Sequence, residues 1–173
     1  MELWDVYDID RTKSNKTMVR GDRFQKNEYH MVVHVCVFDK DGNMLIQQRD
    51  QEKFGWPNRW DITMGGSAHQ GETSQQAAER ELFEELGIQF SFAGMRPHLT
   101  INFEHGFDDI YLIHHDIDIL SIKMQPKEVQ DVRWASLNEI LSMIDNEQFI
   151  PYHKSLIQLF FDIRHKYGCF VLE

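Results

Sequence analysis

The chain has 173 residues and a formal net charge of −10, from 18 Lys and Arg against 28 Asp and Glu. That length suits one domain around a single core. The acidic balance argues against nucleic-acid backbones and anionic membranes as partners. No apolar run approaches the roughly 18 residues of a membrane span, and the N-terminal MELWDVYDIDRT has no apolar signal core. The two cysteines, Cys36 and Cys169, lie far apart and suggest no disulfide framework. A reduced, cytoplasmic setting is the expectation.

Taken in chain order, Leu3 to Asp10 and Met18 to Asp22 flank a polar stretch, Arg11 to Thr17, and read as an N-terminal hairpin. Met31 to Phe38 (MVVHVCVF) is β-branched and apolar, a central strand. Asp41-Gly42 marks a hairpin turn into a second strand, Met44 to Gln48. A polar loop ends in Trp56-Pro57-Asn58-Arg59-Trp60, and Asp61 to Met64 is a short strand feeding a glycine-rich loop, Gly65-Gly66 to Gly71. Further strands are expected at Phe90 to Ala93, Leu99 to Phe103, Asp109 to Ile117 and Val129 to Trp134. Ser136 with Glu139 reads as a capping box for a helix to about Ile144. Pro151 is expected to open a last amphipathic helix to about Tyr167. The alternation implies an α/β sandwich, divided into an extension over 1–28, a core over 29–145 and a C-terminal helix over 146–173. The hairpin and Leu159, Phe160 and Phe161 offer apolar surface for a homodimer.

The most informative stretch is Gly66 to Ile88, GSAHQGETSQQAAERELFEELGI. Thr73 is a candidate N-cap, with Gln76 completing a capping box, and Gly87 stands at a glycine C-cap. Glu81, Glu84 and Glu85, at i, i+3 and i+4, share one helical face, while Ala78, Leu82 and Leu86 form a separate apolar stripe. Three like charges on one face repel. A bound divalent cation compensates them, and carboxylate oxygens suit Mg²⁺ or Mn²⁺.

This stretch resembles the signature of the Nudix family: Gly66, Glu72, Arg80, Glu81, Leu82, Glu84, Glu85, Gly87 and Ile88 match without a departure. The resemblance implies a Nudix-type α/β/α sandwich with a mixed β-sheet between helices. It also implies Mg²⁺-dependent hydrolysis of a diphosphate linkage, in a nucleoside diphosphate bound to a group X or a related small diphosphate. By position, Glu81, Glu84 and Glu85 look like metal ligands, joined by the Gly65 or Gly66 carbonyl, with one glutamate activating water. Arg80 would orient a carboxylate, and Glu72 would support the loop. The family often takes a further acid from a later strand. Asp108 and Asp109 are the candidates here, Asp109 as a metal ligand and Asp108 toward the substrate, with Glu104 next and Glu128 weaker. Arg49 is a candidate phosphate contact, and Trp60, with Trp56 and Phe103, offers a stacking surface.

Two other readings stand beside this one. The run from Tyr29-His30 through Gln48-Arg49 to the box also resembles isopentenyl-diphosphate isomerases, which share the fold. Alignment on Trp60 and Gly71-Glu72, however, puts Gly65 where their cysteine lies and Ser67 where one of their histidines lies. Glycine supplies no proton-transfer group. The last reading is a silent ligand sensor. Such domains typically lose a box glutamate, and this chain retains all three.

Overall fold

A computed structural model describes residues 2–171. Its centre is a seven-stranded mixed sheet. Strand β3 (His30–Phe38) runs parallel to β8 (Gly106–His114) along its whole length, and β8 pairs antiparallel with β7 (Leu99–Phe103). The other edge of β3 is shared. Its first half pairs with β6 (Met64–Ser67), and its end passes through the Asp-Gly turn, with Phe38 opposite Met44, into β4 (Met44–Arg49). Strand β4 then carries β5 (Trp60–Asp61) and β9 (Val129–Ala135).

Alternation along β3 sends side chains to two cores. Val33, Val35 and Val37 pack with Leu82 and Leu86 of helix α1 (Ser74–Leu86). Cys36 and Phe38 pack with Ile140 of α2 (Leu137–Asp145) and with Ile157, Phe160 and Phe161 of α3 (Lys154–Ile163). The result is a sheet between helices, as expected. Phe160 and Phe161 are buried in this chain's own core, leaving Leu159 exposed.

Several boundaries differ from the sequence expectation, each for a local reason. The polar stretch after Arg11 is itself a strand: β1 (Leu3–Tyr7) pairs with β2 (Lys13–Val19). The strand expected over Asp61 to Met64 is two strands, because side chains replace the backbone ladder between them. The Thr63 hydroxyl accepts from Val37 N at 2.9 Å, and Asp61 Oδ1 accepts from Ile62 N at 2.8 Å. Gly65 and Gly66 consequently lie in β6 rather than in a loop. Phe90 to Ala93 is not a strand, since Phe92 N donates to the Glu79 carboxylate of α1 at 2.7 Å and a turn follows. Helix α3 opens at Lys154, not Pro151. The residues before it are engaged elsewhere: Tyr152 N closes on Ile150 O, and its hydroxyl donates to Asp61 Oδ1 at 2.9 Å.

Candidate active site: a carboxylate groove

Helix α1 forms where its local signals place it. Thr73 accepts from Gln76 N, the Gln76 side chain answers at Thr73 N, and Gly87 ends the helix at φ 68°, a left-handed conformation that favours glycine. Ala77, Ala78, Leu82 and Leu86 bury against the sheet. The carboxylates are thereby turned toward β6, where they line a groove of about 390 Å³ with Gly65, Gly66 and Ser67.

Arg80 organises the middle of this groove. Its guanidinium grips Glu72 through Nε and Nη2 at 2.7 and 2.9 Å, donates to Glu84 at 3.0 Å, pairs with Glu81 at 2.9 Å and reaches Ser67 O at 3.0 Å. Glu72 also accepts from His69 N at 2.8 Å, which ties the loop before α1 to the same arginine. Burial raises the Glu72 carboxyl, but Arg80 and the His69 amide outweigh it and hold the group below its ordinary value. Glu81 is the opposite case. Burial, with the Glu85 and Glu84 charges adding to it, pushes Glu81 up to about 7 despite Arg80. Its carboxyl lies so close under Gly66 that a Cβ there would stand 2.2 Å from Glu81 Cδ.

Glu85 is buried beneath the groove. It accepts from Gln47 at 3.0 Å and pairs with Lys53 at 3.3 Å, and Lys53 is also paired with Glu128. Burial raises the Glu85 carboxyl, with Lys53 and Gln47 opposing. His34 reaches the groove from β3. Its Nδ1 lies 2.7 Å from Asp108 Oδ2, and its Nε2 would stand 2.4 Å from a Cβ placed on Gly65. Burial lowers the His34 pKa, but the Asp108 carboxylate more than offsets this and leaves it raised.

The structure thus gathers Gly65, Gly66, Arg80, Glu81, Glu84 and Glu85 around one groove, with Glu72 behind Arg80 and Asp108 behind His34. It does not bring Asp109 there. Adjacent residues on a strand face opposite ways, and Asp109 is buried between Arg11 and the Thr100 hydroxyl. Nor does it bring Arg49, which pairs with Asp61 at 3.4 Å and donates to Gly55 O at 3.1 Å. Trp60 lies under the Arg133 guanidinium and against the α2 and α3 core, outside the groove. Glu104 is exposed at the β7–β8 turn. Groove-lining residues not anticipated as site members include His34, Lys53 and Arg20, with Glu2 and His69 beside them; Glu128, the weaker candidate, does line the groove. Nothing in a single sequence announces a loop lysine 32 positions from its glutamate.

Among the described residues, no three His, Cys, Asp or Glu form a group that could hold a metal ion: Glu81 and Glu84 meet at Arg80 Nη1, while Glu85 pairs with Lys53. The donor set nevertheless fits a hard divalent cation. It consists of carboxylates whose burial and mutual repulsion keep Glu81 near 7, beneath a backbone stripped of a Cβ at Gly66.

A sheet between helices thus carries an acid-lined groove over a capped carboxylate helix. The NUDIX domain model matches residues 28–160, and the chain belongs to the Nudix family. It is 44% identical over 152 residues to an uncharacterized Nudix hydrolase of Listeria monocytogenes, covering 88% of this chain and 90% of that one. It is 28% identical over 162 residues to an isopentenyl-diphosphate Delta-isomerase of Pectobacterium atrosepticum, covering 88% of each. The crystal structure of DR0079 from Deinococcus radiodurans superposes with a TM-score of 0.72 at 21% identity, over 96% of this chain and all of that one, and shares the fold. No helix among the described residues is long and apolar enough to cross a membrane.

Proposed function

We propose that the chain is a Mg²⁺-dependent pyrophosphohydrolase, with Mn²⁺ able to substitute, that cleaves the diphosphate linkage of a small molecule such as a nucleoside diphosphate bound to a group X. The observation that carries this reading is the groove itself: Glu81, Glu84 and Glu85 on one helix face, opposite Gly65 and Gly66. These three glutamates and a Gly65 or Gly66 carbonyl would hold the ion. When bound, it neutralises phosphate oxygens and lowers the pKa of a coordinated water.

The chain's own residues supply the rest. Arg80 holds Glu81 and Glu84 in place and is itself fixed by Glu72. One of the three glutamates, held ionised beside the cation, would accept the proton of an attacking water. His34, oriented by Asp108, lies at the groove wall as a polar contact for substrate. A neighbouring hollow of about 850 Å³, walled by Phe83, Lys123, Met124 and Pro126, meets the groove at Glu84 and Gln125 and has room for the group X. A reduced cytoplasmic setting, with Cys36 and Cys169 free, is part of the proposal.

The isomerase likeness favours a second reading in the same fold, but the residue at 65 opposes it. A cysteine there would push its Cβ to 2.4 Å from His34 Nε2. The test is a screen over diphosphate compounds with and without Mg²⁺, reading the monophosphate products through a coupled phosphatase that acts on monoesters and not on the intact linkage, with Glu84→Gln and Glu85→Gln beside the wild type. Each variant should lose turnover by orders of magnitude, about 10²-fold or more, while keeping its circular dichroism spectrum. Unchanged turnover in both contradicts the assignment. An inert wild type that binds a diphosphate tightly instead supports a sensor.

A further inference from the structure

The family match begins at residue 28, yet two groove-lining side chains, Glu2 and Arg20, come from the N-terminal hairpin outside that span, and a third, His69 within it, pairs with Glu2. The hairpin is fastened to the site's own framework. Tyr7 and Tyr29 exchange backbone hydrogen bonds at 2.8 and 3.0 Å, Gln70 N donates to Leu3 O at 2.8 Å, and Gly71 N donates to the Asp5 carboxylate at 2.8 Å. Gln70 and Gly71 are in the loop that leads into α1, so β1 and the carboxylate helix are positioned by one another.

Among the described residues, three Lys or Arg side chains line the groove, and two are consumed. Arg80 is held by Glu72, Glu81, Glu84 and Ser67 O, and Lys53 by Glu85 and Glu128. Arg20 differs. Its guanidinium donates from Nη1 to Glu2 at 2.8 Å, and its side chain is 67% exposed. Glu2 is itself fixed by the Trp4 indole at 2.7 Å. An exposed ion pair of this kind holds its partner weakly. The planar guanidinium keeps further N–H donors in the fork that matches phosphate oxygens.

From this we infer that the N-terminal hairpin is a working part of the active site, and that Arg20 binds a phosphate of the diphosphate substrate. The inference rests on the pyrophosphohydrolase reading and gives it a substrate-binding residue outside the family domain. Glu2 is the resting partner that Arg20 leaves when substrate arrives.

The test is calorimetric titration of the non-hydrolysable imidodiphosphate in Mg²⁺, on the full chain, together with KM and kcat on whichever diphosphate the wild type hydrolyses. Arg20→Ala should weaken imidodiphosphate binding by about tenfold to a hundredfold and raise KM more than it lowers kcat. Arg20→Lys should recover part of the loss, and Glu2→Gln, which frees the guanidinium without removing it, should bind at least as tightly as the wild type. Arg23→Ala, an exposed arginine that does not line the groove, should bind like the wild type. Arg20→Ala binding as the wild type does overturns the inference alone. So does an equal loss in Arg20→Ala and Glu2→Gln, which would make the pair a structural tie. A wild type that neither binds imidodiphosphate nor hydrolyses any diphosphate overturns the function reading itself.

Discussion

Single residues decide whether this groove can do chemistry, and Gly66 is the sharpest case. Its missing Cβ is the space into which the Glu81 carboxyl fits. Ala at this position must displace Glu81, and misplacing a reacting group by about 1 Å costs on the order of 10²-fold in rate. Gly66→Ala should therefore lose kcat by about that factor with its thermal midpoint nearly unchanged. A fully active Gly66→Ala would show that Glu81 does not need its observed position. The pair of Arg80 with Glu84 was legible in the chain because the two lie at i and i+4 on one helix face, whereas its contacts to Glu72 and Glu81 do not follow from that spacing. Asp109 was not, because the two adjacent acids Asp108 and Asp109 are equivalent in sequence until the pairing of β8 with β3 sets which one faces His34. Arg49 was misleading for a related reason. It ends β4 as expected, but Asp61 on the neighbouring β5 captures it.

At the scale of elements, capping chemistry carried the helices and side-chain competition moved the strands. Thr73 with Gln76 and Ser136 with Glu139 close the capping boxes expected from their spacing. Those signals are local, so one sequence suffices to read them. The split of Asp61 to Met64 and the loss of Phe90 to Ala93 depend on Thr63 meeting Val37 and Glu79 meeting Phe92, contacts made only after folding. The N-terminal hairpin depends on such a contact as well. Arg11 stacks on Phe107 at 4.5 Å and supplies the charge that pairs with Asp109, whose side chain is 2% exposed. Arg11→Ala leaves that carboxylate buried with, among the described residues, Thr100 as its remaining side-chain hydrogen-bond partner. Removing a charged hydrogen-bond partner from a buried group costs about 1–3 kcal/mol. Urea denaturation of Arg11→Ala should show a loss of that size. A midpoint equal to the wild type would mean that the ion pair does not hold the hairpin.

The whole molecule joins the extension to the sheet through an aromatic cluster, and this makes stability depend on pH. His30 is buried and stacks on Trp4 at 4.5 Å, with Phe24 at 5.1 Å and Phe103 edge-on at 5.5 Å. Burial, with the His105 charge adding to it, holds its pKa down to about 4 from 6.5. The folded state therefore disfavours the proton that the unfolded chain accepts near 6.5. The His30 contribution is complete above that pH and is lost progressively as the pH falls toward about 4, a span worth about 3 kcal/mol. Thermal midpoints should drop between pH 6.5 and 4.5, and His30→Phe should flatten that segment. An identical slope in the variant would place the acid sensitivity elsewhere, for example at His98, whose pKa burial also lowers. The sandwich as a whole was readable from the alternation of elements. The attachment of the hairpin to the groove was not, because it rests on contacts between Leu3 and Gln70 and between Asp5 and Gly71, 67 and 66 positions apart.

The account stands on the helix-face glutamates holding a divalent ion, and Mn²⁺ binding read by electron paramagnetic resonance tests that without any substrate. A proton on Glu81 competes with the cation, so affinity should rise as the pH passes upward through about 7. Glu85→Gln and the double variant Glu81→Gln with Glu84→Gln should each weaken binding by about tenfold or more. Full-affinity Mn²⁺ binding in the double variant, indifferent to pH, would contradict the assignment.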